Sequence, residues 1–247
     1  MTSDEKIKVI DINNITKIYQ LDQFGLKSFR NDILKLFKLN KQNFKKIKAL
    51  DSLSFNIYKG EKIAVIGNNG SGKSTLMRIL SGITKPTYGE VILRETITSA
   101  LQGSFAFQND LTARDNIYQF CALKGLNLKK TNDIFNTIVE FAECENFIET
   151  PIKRFSSGMS MKLALSIAIN IPGEIMIFDE IFNYIDSKFK EKVIGFLKKD
   201  SLKEKTLILV SHDKHLVNSL CEKAILMEKG NIKLIGTLEE VFKNYQF

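Results

Sequence analysis

Cysteine is scarce and odd in number: Cys121, Cys144 and Cys221 lie far apart in the chain. Three such thiols make neither a disulfide framework nor a zinc site, and they fit a reducing cytoplasm. The opening MTSDEKIK lacks the apolar centre of a secretory signal, so none is expected. Long apolar runs are missing as well. Stretches such as residues 163–171 fall well short of the ~20 residues that cross a bilayer, so no membrane span is expected. Internal repeats and low-complexity tracts are absent. Acid is nearly missing from one segment: between Lys27 and Lys48 eight basic residues face only Asp32, a net of +7 against +8 for the whole chain. A general nucleic-acid surface spreads its basic residues over several elements, and here the charge belongs to one insertion.

What is present is an ordinary soluble balance, 44% hydrophobic and 26% charged over 247 residues, enough for a core that needs no cross-links. Residues 8–19 and 50–58 read as strands. Residues 62–66 (KIAVI), 175–178 and 206–210 are short, continuously apolar runs, as buried parallel strands should be. Helical spacing appears over residues 74–80, 133–142, 159–169 and 188–198. Buried strands alternating with helices predict a parallel α/β sheet covered on both faces. Residues 223–236 predict a hairpin turning at Lys229-Gly230-Asn231. Residues 90–155 interrupt the alternation and are expected to form an inserted, mostly helical subdomain.

Residues 67–75 read GNNGSGKST, which satisfies G-x-x-x-x-G-K-[ST] between a buried strand and a helix. Gly67, Gly70 and Gly72 let the backbone curl its N–H groups around phosphate oxygens, with Asn68, Asn69, Ser71 and Thr75 completing the loop. The helix that follows adds its N-terminal dipole. Lys73 is expected to reach the β- and γ-phosphates of ATP, and Ser74 to offer a hydroxyl to Mg²⁺. A second apolar strand ends in IMIFDE, at the sheet edge where chemistry sits in open α/β folds. Asp179 is expected to hold Mg²⁺ through its water shell, and Glu180 to polarise the attacking water. His212, in VSHD at the end of another strand, is either a structural residue or a donor to the γ-phosphate, and its place on the rim favours the donor. His215 reads as an ordinary surface or packing residue.

With these residues in place the chain resembles the ABC ATPase family. Phe155-Ser156-Ser157-Gly158-Met159, ahead of a helix, is similar to that family's signature loop. The resemblance implies a P-loop NTPase (RecA-like) core with an antiparallel β subdomain and an inserted α-helical subdomain, in one ATPase domain over 1–247. The helical subdomain, with its Q-loop and signature, then spans 90–170. It further implies that Ser156, Ser157 and Gly158 contact the γ-phosphate held by a second copy, giving a head-to-tail dimer around two ATP molecules. Asp186 matches the D-loop aspartate, His212 the switch histidine, and Tyr19 the aromatic platform for adenine, with simple packing as its alternative. Gln102 and Gln108 both suit the Q-loop glutamine, a metal ligand; the stretch FQNDLTARDN favours Gln108. Ser157, Met159 and Ile181 depart from the usual glycine, glutamine and proline.

These departures, the stretch from Phe107 to Asn116 and the insertion before Ala49 resemble the ATPases of bacterial polysaccharide exporters of capsule, O-antigen or teichoic acid. Some O-antigen members carry a further carbohydrate-binding domain, for which this sequence is too short. The resemblance implies a permease partner that handles the polysaccharide, a peripheral position on the cytoplasmic side of the inner membrane, and no nucleic-acid partner. Competing readings are another kind of ABC transporter subunit, or a soluble ABC ATPase acting on nucleic acid or ribosomes. Within the basic insertion (20–48), Leu26, Phe29, Ile33, Leu36 and Phe37 recur at helical spacing. That helix either packs on its own domain or lays its lysines on anionic lipid.

Overall fold

The apolar runs become the centre of a two-sheet protein. A computed structural model of the 247-residue chain describes residues 7–21, 45–101, 107–199, 202 and 204–245. The strands are β1 (Lys8–Leu21), β2 (Lys45–Tyr58), β3 (Lys62–Ile66), β4 (Tyr88–Leu93), β5 (Ile97–Leu101), β6 (Ile175–Asp179), β7 (Thr206–Val210), β8 (Lys223–Glu228) and β9 (Asn231–Thr237). The α-helices are α1 (Lys73–Leu80), α2 (Ala113–Leu123), α3 (Leu128–Ala142), α4 (Ser157–Asn170), α5 (Ser187–Leu197), α6 (Lys214–Leu220) and α7 (Leu238–Lys243).

Six strands in the order β5-β6-β7-β3-β8-β9 form the main sheet, parallel except for β9 at the edge. Every residue of β6 and β7 is buried. Strand periodicity sends alternate residues to opposite faces, and here each face has its own core. Met176, Phe178, Leu207 and Leu209 pack with Leu165 of α4, Phe189 of α5 and Leu216 of α6. Ile175, Ile177, Ile208 and Val210 pack with Leu76 and Met77 of α1 and with Ile10, Ile12 and Ile57 of the second sheet. That sheet, in the order β2-β1-β4, is antiparallel. The β8–β9 turn falls at Lys229 (φ 48°) and Gly230 (φ 81°), the two positive-φ positions that a tight hairpin needs.

A third apolar cluster joins α2, α3 and α4 through Ile117, Phe135, Ile138, Leu163 and Ile167. Residues 163–169 of α4 are all buried because the helix serves this cluster on one side and the main core on the other. Cys121, Cys144 and Cys221 are free and buried. Burial pushes the Cys144 thiol up to about 11 and the Cys221 thiol up to about 12, so neither is nucleophilic near neutrality.

Two expectations are narrowed. The first part of the 90–170 segment is not helical: β4 pairs with β1 and β5 runs parallel to β6, and the helices begin at Ala113. A five-residue strand such as ITSAL carries too little period-two signal to stand out beside a long helical pattern. Of the 20–48 insertion, both ends are strand, with Gln20 paired to Lys46 and Leu21 to Lys45. The helical pattern of residues 24–39 lies outside the described residues.

Candidate functional site

The phosphate loop is wedged between both sheets. A Cβ on Gly67 (φ 152°) would lie 2.2 Å from the Met227 carbonyl oxygen of β8, and one on Gly72 (φ 105°) 2.6 Å from the Ala49 carbonyl oxygen of β2. Side chains are excluded at both positions, and their positive φ values favour glycine as well. The Gly230 N–H donates to the Ser71 carbonyl at 3.0 Å, and the Asp51 N–H to the Gly230 carbonyl at 2.8 Å. The hairpin turn thereby clamps the loop from behind. Gly72 caps α1 without a side-chain hydrogen bond, and no acidic residue stands in that helix's first turn. The positive end of the helix is open to an anion.

Lys73 is buried, with its ammonium donating to the Gly67 carbonyl at 2.6 Å and the Asn68 carbonyl at 3.2 Å. Burial lowers its pKa, and the nearby charges of Glu180 and Asp179 oppose that shift. Asp179 is 3% exposed. Burial raises its pKa, opposed first by a hydrogen bond from the Ser74 hydroxyl. Its Oδ1 is buried without a hydrogen-bond partner, which is costly unless a ligand completes it.

Register explains how Glu180 and His212 meet. β6 and β7 are neighbouring parallel strands with Asp179 opposite Val210, so both chains emerge side by side at the carboxyl edge. The Glu180 N–H donates to the Val210 carbonyl at 3.0 Å, and Glu180 adopts φ 52°, a left-handed conformation that turns the chain out of the sheet. Its Oε1 stands 3.0 Å from His212 Nε2. Ser211, Asp213 and Lys190, to which the sequence motifs assign no role, hold this loop. The Asp213 N–H donates to Ser211 Oγ at 3.0 Å, Asp213 caps α6 through the Leu216 N–H at 3.1 Å, and Lys190 holds its other oxygen at 2.7 Å. An aspartate just ahead of a helical pattern was the available signal.

Lys73, Ser74, Asp179, Glu180 and His212 therefore form one cluster. Tyr19 is half-buried on β1 and pairs with Ile47, two residues before the Ala49 carbonyl that packs at Gly72. The Lys17 ammonium lies 5.2 Å from its ring centre. Ser156 and Ser157 are exposed at the start of α4, with Ser156 Oγ accepting from the Met159 N–H at 3.1 Å. No hydrogen bond between side chains and no ion pair among the described residues joins them to the cluster. Asp186 caps α5, accepting from the Phe189 N–H at 2.9 Å.

Gln108 is not drawn to the cluster either. It is exposed, and its backbone is tied to Asn116 of α2, with its N–H donating at 2.8 Å and its carbonyl accepting at 3.2 Å. The residue in register with Asp179 on the β5 side is Leu101. Gln102, the other candidate, lies outside the described residues.

The chain is similar to known proteins. The ABC transporter family profile matches residues 50–183. The O-antigen export system ATP-binding protein RfbB of Klebsiella pneumoniae is 34% identical, over 96% of this chain and 97% of its own length. The teichoic acids export ATP-binding protein TagH of Listeria monocytogenes is 35% identical, over 96% of this chain and 69% of its own. Among solved structures, the dimeric post-hydrolysis form of the ATP-binding cassette MJ0796, bound to ADP and Pi, has a TM-score of 0.75. It is 24% identical and covers 93% of this chain, so the likeness speaks for the fold. With its phosphate loop, its carboxylate pair at the end of β6 and a family profile that covers more than half its length, the chain belongs to the ABC transporter family as an ATP-binding cassette.

Proposed function

We propose that this chain is the ATP-hydrolysing subunit that powers export of a lipid-linked polysaccharide, working as a head-to-tail pair on a membrane permease. The observation that carries the export reading is similarity over 96% of this chain, at 34% and 35% identity, to an O-antigen and a teichoic acid export subunit. No helix among the described residues is long and apolar enough to cross a membrane, so the reading assigns the polysaccharide path to the permease and this chain to its cytoplasmic side.

In this reading the cradle from Gly67 to Thr75 holds the phosphates of ATP, with Lys73 exchanging the Gly67 and Asn68 carbonyls for phosphate oxygens. Tyr19 stacks on the adenine. Ser74 and Asp179, whose buried Oδ1 has no hydrogen-bond partner, would hold Mg²⁺, which would neutralise charge on the β- and γ-phosphates. Gln108, or Gln102 as its alternative, supplies the glutamine of this site. Glu180 orients the attacking water, and His212 steadies both Glu180 and the γ-phosphate. The open α4 start, at Ser156, Ser157 and Gly158, meets the γ-phosphate of the second copy, and Asp186 faces that copy across the joint. Hydrolysis removes the charge that joins the halves, and they part.

Tyr19→Ala should raise the ATP dissociation constant about tenfold, the size of one lost base–aromatic stack. Calorimetric titration measures it, and an unchanged affinity would return Tyr19 to a packing role. The export reading is tested in cells that carry the chain disabled by Lys73→Ala: a lipid-linked glycan should accumulate inside. Normal glycan surface display with no accumulation would contradict it.

A further inference from the structure

Away from the nucleotide cluster, four charged side chains tie together elements that the functional reading assigns separate tasks. Lys162 on α4 lies 2.7 Å from Asp186 Oδ2 and 3.1 Å from Glu143 Oε2. Glu143 ends α3 in a left-handed conformation (φ 57°), and its second oxygen takes Lys192 of α5 at 3.2 Å. Lys192 also donates to the Phe141 carbonyl at 3.0 Å, closing the carbonyl end of α3. The Lys162 ammonium sits 4.9 Å from the ring centre of Phe189.

Isolated surface ion pairs stabilise little. Lys162 differs because its side chain is only 19% exposed, it serves two carboxylates, and it lies over a buried ring. Ion pairing holds Asp186 below the usual carboxylate range, chiefly through Lys162. The placement gives this cluster its meaning. Lys162 is on the helix that begins at Ser156. Asp186 follows Glu180 by way of the short turn Ile181–Tyr184, and the first turn of α4 packs on that turn, since a Cβ on Gly158 would lie 3.3 Å from the Tyr184 carbonyl.

We propose that Lys162 is a positioning residue that fixes the signature end of α4 to the segment leaving Glu180, so that the two move as one body. In a head-to-tail pair, the α4 start of one copy serves one nucleotide and its Glu180 serves the other. A rigid link between them transmits engagement at one site to the placement of Glu180 at the second. This inference rests on the proposed function for its consequence, and on the ion pairs for its geometry.

The test compares the full chain with Lys162→Met and Lys162→Arg. The Met variant should keep ADP affinity within about twofold, because the cradle is untouched, and lose about tenfold in kcat, close to 1.4 kcal/mol of barrier. The Arg variant should restore kcat to within about threefold. Hydrogen exchange at the Phe189 amide, bonded to Asp186, should quicken in the Met variant. An unchanged kcat in that variant would overturn the proposal, and so would a matching loss of ADP affinity, which marks general damage to the fold. If the parent chain hydrolyses no ATP, the functional reading falls by itself. The exchange comparison then decides: a quickened Phe189 amide supports the link, and an unchanged one removes it.

Discussion

Glu180→Gln should bind ATP with the parent's affinity and hydrolyse it at least about a hundredfold more slowly, the lower range for loss of a general base. Glu180 is aimed by its own backbone: an N–H held by the Val210 carbonyl, and a left-handed conformation that lifts its side chain from the sheet edge to within 3.0 Å of His212. A non-glycine residue in that conformation costs on the order of 1–3 kcal/mol, tolerated where the surrounding structure dictates it. Glutamine has the same shape, so fold and nucleotide binding should survive while the capacity to draw a proton from water is lost. Steady-state phosphate release with a parallel binding titration checks this. A variant that turns over at the parent rate would remove Glu180 from the chemistry.

Lys73→Ala should weaken ATP binding about 10- to 100-fold, the range for losing charge-assisted hydrogen bonds of about 1.5–3 kcal/mol. Without nucleotide, the ammonium is already seated in the cradle on the Gly67 and Asn68 carbonyls. It has only to exchange those carbonyls for phosphate oxygens, and because burial disfavours an uncompensated ammonium, an anion beside it is favoured. Removing it also relieves that burial cost, so thermal stability should change much less than affinity. Titration with ATP and a melting curve separate the two effects. Affinity within about threefold of the parent would count against the cradle.

Elements whose signal is local were legible in the sequence. Thr206–Val210 is the strand that its four consecutive apolar residues announce, because a buried parallel strand has no other pattern to follow. The hairpin at Lys229-Gly230 and the cradle at residues 67–75 declare themselves through positions that demand glycine. Elements fixed by distant partners were not legible. β5 is a strand because β6 lies beside it, and nothing within ITSAL states that. The ion pairs of Lys162 join residues 19 and 24 positions apart, beyond any local period. The Glu180–His212 contact, across 32 positions, was anticipated only in that both sit at strand ends.

Sedimentation velocity of the Glu180→Gln chain tests most directly whether the γ-phosphate joins two copies of this chain. With ADP or no nucleotide the chain should sediment as a monomer, and with ATP and magnesium as a dimer. The same sedimentation in ATP as in ADP would contradict the account.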